Sequence, residues 1–537
     1  MKSSSKSISV FLLSSFLFFS NQAFSQTFTQ SPLPIVEIST AGNTIPVDGN
    51  ISATMQITFA GAGMATLLSD VPNIWDGAIQ IGLHGASSID YPQKSYSFTT
   101  MMNTVQDSNI VILDMPREHD WLLINNWNDK SFVRNTLAQK LFSEMGHYAV
   151  RMRHCEVTLN GQYIGIYLLG EKIKVDKGRV DISKLKPTDL GGAEVSGGYI
   201  IKNDGYYNGS NGWPSTFSPV GHDANEHAYF LYDYPNANKI AVSQKTYIKS
   251  FIDSLETALY STTFANPTIG YAKFISRTSF LDYFLLNELS RNVDGNKKSS
   301  FWHKDRWDKK GKLKAGPVWD FDWAWKNIWD CEQFSRTDGS GWSYKIVDCP
   351  ADVLSFGWFK RLLQDPNFSN AVDCRWKELR ATILSNDYIF NYIDSVEQAL
   401  AVPQQRHFTA FPVLGQNNGA PEVDAQPTTY QGEIVKLKNW IQTRVNWLDA
   451  NMPGTCGLTT AFTETDNDQV VLYPNPNQGD FIVLNKGKKA SYTLHNFMGV
   501  ELQSGELREN ENIFQLDAPR GMYFMRMEGR VLKVLID

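Results

Sequence analysis

The 537-residue sequence has only five cysteines and nine histidines, and no excess of positive charge, its formal net charge being -6. Five cysteines cannot build the disulfide framework of a small secreted protein, and an odd number leaves at least one unpaired within the chain. Cys155, Cys374 and Cys456 show no zinc spacing, which argues against metal binding through sulfur, and the scattered histidines offer no ligand spacing. The acidic balance argues against nucleic acid as a partner. Serine-hydrolase wording (G-x-S-x-G), H-E-x-x-H and a Walker A loop are all missing. Only one apolar run stands out, Ile8 to Phe19, and it is shorter than the roughly 20 residues that span a bilayer.

That run follows Lys2 and Lys6, and the small residues Ala23 and Ser25 precede Gln26. Residues 1–25 therefore read as a signal peptide, which predicts export and no integral membrane segment once it is removed. Cys331 and Cys349 bracket a Gly/Ser/Asp-rich excursion and are the expected disulfide pair.

From Leu33 to Phe59, alternation of apolar and polar residues predicts strands, as do Ala78 to Leu83, Ser95 to Thr99 and Trp121 to Asn125. Ser131 to Met145 has helical spacing, and Asn160-Gly161 joins Glu156–Leu159 to Tyr163–Leu169 in a hairpin with a type I′ turn. Gly191 to Asn238 reads as strands with long loops. Helices are then expected over Ser243–Leu259, Ala272–Val293, Val353–Leu363, Phe368–Leu384, Tyr388–Leu400 and Glu433–Met452, with a loop over Gln404–Tyr430. The fold class is α+β: a sheet-rich lobe to about residue 240 and a helical lobe after it, within residues 26–456. A linker is expected over 457–469, followed by a small β unit at 470–537.

Chemistry concentrates in Gly316-Pro317-Val318-Trp319-Asp320-Phe321-Asp322-Trp323. In an extended segment the two carboxylates share a face and suit a hard cation such as magnesium, which usually arrives with phosphates. Phosphoryl transfer needs a carboxylate for the acceptor hydroxyl, acidic metal ligands and a cation on the phosphates. Asp294, in Asp294-Gly295-Asn296, fits the first need; the same three residues also read as a plain turn. Lys94 offers the cation, behind the Gly/Ser turn that contains Ser87. Asp129 and Arg134 read equally as a cap and a surface ion pair, and Glu171-Lys172 as a cleft edge or a strand end. Trp302, Trp307, Trp319, Trp323, Trp325, Trp329 and Trp342 carry a rival reading, a carbohydrate cleft.

Taken in order, several segments resemble the spore coat protein H (CotH) kinase family. They are Gly85-Ala86-Ser87-Ser88 with Pro92-Gln93-Lys94-Ser95-Tyr96; Asp129-Lys130-Ser131 with Arg134-Asn135; Asn160 to Tyr167 with Glu171-Lys172; Asn292-Val293-Asp294-Gly295; Trp319-Asp320-Phe321-Asp322; and Leu437-Lys438-Asn439-Trp440 with Arg444 and Trp447-Leu448-Asp449. The resemblance implies a two-lobed, atypical protein-kinase-like domain that uses ATP and Mg²⁺, with Mn²⁺ as a possible substitute, to phosphorylate Ser or Thr of proteins. It implies Asp294 as the catalytic aspartate, Asp320 and Asp322 as metal ligands, and Lys94, Glu171, Ser87 and Arg134 around the nucleotide. The family usually has Arg where this chain has His84, and some members have a metal-binding Asn where this chain has Ser299, with Asn296 as the substitute. A kinase-like scaffold of weak catalysis is the second expectation. The end of the chain, Leu472-Tyr473-Pro474-Asn475-Pro476 to Val531-Leu532-Lys533-Val534, resembles the type A sorting domain of type IX secretion, a small β-sandwich, which implies that machinery as a partner and the cell surface or medium as the destination.

Overall fold

The computed structural model describes residues 28–456, apart from 104, 206, 220, 221 and 224, and 470–536, apart from 476, 486–488, 497–500, 520, 528 and 529. The expected signal peptide and linker lie outside the described residues. The chain forms two compact units that divide after Cys456.

In the first unit the strands are β1 (Gln30–Ser31), β2 (Ile35–Ser39), β3 (Ile51–Thr58), β4 (Thr66–Leu67), β5 (Trp75–His84), β6 (Ser95–Met101), β7 (Ile110–Ile112), β8 (Met115–Glu118), β9 (Asp120–Ile124), β10 (Met152–Leu159) and β11 (Gln162–Glu171). Seven of them close a barrel in the order β10-β11-β9-β6-β5-β3-β2. Parallel pairing of β2 with β10, Ile35 opposite Glu156, seals it. Alternate side chains such as Val36, Met55, Ile81, Phe98, Trp121 and Tyr167 fill the interior, which is why these strands read as alternating text. The hairpin turn has φ of 50° at Asn160 and 76° at Gly161, as a type I′ turn requires.

A second sheet, in the order β13-β14-β12-β15-β16, joins β12 (Tyr199–Asn203), β13 (Gly212–Pro214) and β14 (Tyr229–Tyr234) to β15 (Ser300–Lys304) and β16 (Leu313–Ala315). Because β12 pairs with β15, Lys202 opposite Phe301 and Asn203 opposite Ser300, this sheet runs across the boundary expected near residue 240. Around it pack α1 (Arg134–Glu144), α2 (Val242–Tyr260), α3 (Arg277–Ser290), the one-turn α4 (Glu332–Ser335), α5 (Trp358–Leu362), α6 (Pro366–Arg380), α7 (Asn386–Leu400), α8 (Pro403–Ala410) and α9 (Tyr430–Asn451). Asp365, Ser385 and Thr429 cap α6, α7 and α9 by accepting backbone N–H groups. One apolar core takes in α1, α3, α6, α7 and α9.

Two expectations need correction. The helix expected over Val353–Leu363 is only Trp358–Leu362, because Gly357 holds a left-handed φ of 69° immediately before it. The loop expected over Gln404–Tyr430 begins in α8, which starts on Pro403 at a position where proline's missing N–H costs nothing. Cys331–Cys349 is bonded as expected; Cys374–Cys456 is a second disulfide that spacing did not reveal, and Cys155 is buried and free.

In the second unit, β17 (Val470–Tyr473), β18 (Asp480–Asn485) and β21 (Asn510–Gln515) form one sheet, and β19 (Ala490–Asn496), β20 (Glu501–Leu507), β22 (Gly521–Met527) and β23 (Arg530–Ile536) form another. Phe481, Val483, Leu494, Phe514, Met525 and Val534 share a single core between them, a small β-sandwich. Among the described residues no helix is long and apolar enough to cross a membrane.

Candidate active site

Helix α1 fixes the acidic motif from both sides. Gln139 Nε2 donates to Val318 O at 2.9 Å and Asn135 Oδ1 accepts the Phe321 N–H at 2.7 Å, so Asp320 sits on a short span held at each end. Arg134 Nε donates to Ala324 O at 2.9 Å, just beyond. Asp320 itself has φ of 63°, and Ser299, whose Oγ donates to Asp320 Oδ2 at 3.2 Å, has φ of 48°. Two touching non-glycine residues in the left-handed region are a costly local choice, held by their surroundings, and such residues gather at functional sites. This conformation also corrects the premise of an extended segment: Asp320 and Asp322 are brought together by a turn, closed by Ala324 N–H to Phe321 O at 3.0 Å.

Asp294 follows the left-handed end of α3, where Arg291 has φ of 43°. Its carbonyl accepts from the N–H groups of Lys297 (2.8 Å) and Lys298 (2.7 Å), so the backbone is indeed a turn, and its carboxylate stands 4.0 Å from Lys297 Nζ. Burial, reinforced by Asp322 and Asp352 and opposed by Lys297 and Lys298, raises its pKa to about 6. Asp320 keeps an exposed surface, yet protein packed around its carboxyl desolvates it; that desolvation, then the charges of Asp322 and Asp294, push it well above the usual carboxylate range. The three carboxylates therefore lie close enough to repel one another. Asp204 adds to the same field.

The other expected residues are placed differently. Lys94 Nζ donates to Ile89 O at 2.6 Å and so ties down the Gly/Ser turn. Ser87 opens a 3₁₀ turn, and its side chain lies outside what is described. Arg134 is not a surface group: it is buried and paired with Asp129 at 2.5 Å. Glu171 ends β11 fully buried, accepting from Arg151 Nη1 at 2.7 Å and Tyr148 Oη at 3.2 Å. Asn296 donates to Ser343 Oγ at 3.2 Å, and Ser343 in turn donates to Asn292 O at 2.7 Å. That loop is anchored by Glu288, which accepts the N–H groups of Ser343 and Tyr344 at 2.8 Å each and pairs with Arg444 of α9 at 3.2 Å.

Sequence reasoning named Lys172 but missed Lys202, a second cation near the Gly/Ser turn. Lys202 is ion-paired with Asp204 at 3.1 Å and lies 3.8 Å from Asp233. Burial first, then Lys172 and Lys202, lower the pKa of His84 to about 4, which places both lysines near the Gly/Ser turn and leaves that imidazole neutral near pH 7. Only the pairing of β12 with β15 could have singled out Lys202, and register between distant segments is not written in local text. Trp302 and Trp325 are core residues, whereas Trp307 and Trp329 are 63% and 66% exposed.

The family model described as CotH kinase protein matches residues 81–448, a span that holds all of these groups. The chain belongs to the CotH kinase family. No curated protein matches it. Within this CotH kinase chain Asp320, Asp322 and Asp294 offer only carboxylate oxygens and act on one another electrostatically, and oxygen donors of this kind suit a hard divalent cation. Among the described residues the acidic and imidazole side chains whose ligand atoms all lie within 4.8 Å of one another are instead Glu118, His119 and Asp120, but the Lys174 ammonium already fills that cluster, at 3.1 Å from Glu118 and 2.7 Å from Asp120.

Proposed function

We propose that this chain is an exported protein kinase that transfers the γ-phosphate of ATP to Ser or Thr of secreted or surface proteins in the presence of Mg²⁺, with Mn²⁺ as a possible substitute. The observation that supports it best is that Asp320 feels the charges of both Asp322 and Asp294, all three within the span shared with the CotH kinase family. Asp320 and Asp322 would hold the cation, which supplies charge neutralisation on the phosphates when bound. Asp294 would take the acceptor hydroxyl's proton, a role that suits a carboxylate whose pKa is raised toward neutrality. Lys172 and Lys202 would supply positive charge beside the Gly/Ser turn that Lys94 anchors. The two disulfides fit an oxidising compartment. The sandwich unit would carry the type IX export signal.

A second reading, a kinase-like scaffold of weak catalysis, is favoured by Ser299, whose short hydroxyl contacts Asp320 where some relatives place a metal-binding Asn. The carbohydrate reading loses ground because much of its tryptophan platform is packing. Transfer of labelled γ-phosphate to the chain itself or to a Ser-rich acceptor decides between them. We expect Mg²⁺-dependent labelling that Asp320→Ala lowers at least a hundredfold, of the order seen when a group that stabilises transition-state charge is removed. Absence of any Mg²⁺-dependent ATP binding would overturn the kinase reading.

A further inference from the structure

We infer that Asn128 is a positioning residue for Asp322, and that the loop carrying Gly419 seats it; this rests on the kinase reading, in which Asp322 binds the cation. Asn128 is 4% exposed, and its Nδ2 donates to Asp322 Oδ2 at 2.7 Å and to Tyr91 Oη at 3.2 Å. Both amide protons are thereby used. Its Oδ1 has no hydrogen-bond partner among the described residues and lies against Gly419, where a Cβ would fall 1.6 Å away. Gly419 has φ of 73°, so both its backbone and its missing side chain are required. The Asn128 carbonyl accepts from Lys326 Nζ, and Lys326 pairs with Glu422 of the same loop at 3.2 Å. Asn418 Nδ2 donates to Trp127 O, so the loop grips the chain on both sides of the Asn128 amide plane.

The chemistry of this contact matters more than its strength. A lysine placed here would orient Asp322 but cancel its charge; an amide orients the carboxylate and leaves the charge for a cation. Groups that aim a metal ligand in this way are worth about 10–100-fold in metal affinity. Tyr91 reaches the same amide from the Gly/Ser-turn side, but its hydroxyl does not touch Asp322 in any contact of the structure.

Titration of the full chain with Mn²⁺ in the presence of ATP, read by the electron paramagnetic resonance of free Mn²⁺, tests the assignment. Asn128→Ala should weaken Mn²⁺ binding about tenfold or more while the thermal unfolding midpoint stays within a few degrees of the wild type. Gly419→Ala, which drives a Cβ into the amide oxygen, should weaken it in the same direction, and Tyr91→Phe should leave it within about twofold because the Asp322 bond survives. Should Asn128→Ala fail to fold, Asn128→Ser, whose hydroxyl is too short to reach Asp322, is read in its place. Wild-type binding with an unchanged, folded Asn128 variant overturns this inference alone, as does an equal loss in Tyr91→Phe. A wild-type chain that binds no Mn²⁺ with ATP overturns the kinase reading and this inference with it.

Discussion

Ser299 and Asp320 hold the site in a conformation that most side chains avoid, with φ of 48° and 63°. Asparagine is among the few residues that enter this region readily, because its short amide can bond locally. Ser299→Asn should therefore be accommodated without loss of stability and should put an amide oxygen beside the Asp320 carboxylate. If the serine is what weakens cation binding in this chain, Mn²⁺ affinity in the presence of ATP should rise about tenfold, the scale on which groups next to a metal ligand act. Unchanged affinity in a folded variant would show that Ser299 is not the weak point. The motif itself was legible as acidic residues on an apolar approach, but not its shape. Alternation suggested an extended strand, whereas the Asn135 and Gln139 contacts from α1 impose a turn, and those contacts span about 180 residues of sequence.

At the scale of elements, α8 is the instructive case. Its Pro403 and its Gln-rich turn look like loop, yet it packs on β11 through His407, whose Nδ1 accepts the Ile166 N–H at 3.1 Å, and Phe132 meets the same ring edge-on. Gly165, at φ of 107°, leaves room for that ring: a Cβ there would come within 2.9 Å of His407 Nδ1. Helix and strand fit each other, a tertiary relation that neither segment announces locally. Burial lowers the His407 pKa to about 3, against 6.5 unperturbed. Between those values the unfolded chain binds the proton and the folded chain does not, so stability rises with pH across this window and is lost as pH falls from about 6.5 toward 3. His407→Gln keeps an acceptor for Ile166 without a titrating ring. Its unfolding midpoint, followed from pH 7 to pH 4, should fall less steeply than that of the wild type; parallel curves would mean that other buried groups set the acid limit. Strands and long helices were legible because their periods are local, and β5, β10, β11 and α9 lie close to where alternation and spacing put them. The half-helix α5 and the sheet that joins β12 to β15 were not, since a left-handed glycine and a distant register decide them.

For the whole molecule, the division after Cys456 bears on whether the last unit could be removed. The tail beyond α9 is stitched back onto α6: Thr455 N–H donates to Asn370 Oδ1 at 2.9 Å, Cys456 N–H to Asp373 Oδ2 at 2.7 Å, and Cys456 bonds to Cys374 across a separation of 82 residues. These contacts close the first unit on itself. Under the proposed export route, where the sandwich would be removed on the way out, the kinase-like unit must keep its stability without it. A chain ending at Cys456 should accordingly unfold within about 2 °C of the midpoint of the same unit in the full chain, because a loss of as little as 1 kcal/mol would shift it by that order. Replacing both Cys374 and Cys456 by Ser should instead cost about 4.5 kcal/mol, the loop-closure entropy for a ring of this size. Calorimetry of the three proteins separates the contributions. If truncation lowers the midpoint as far as loss of the disulfide does, the first unit depends on the second, and removal of the sandwich could not be a step that leaves an intact kinase behind.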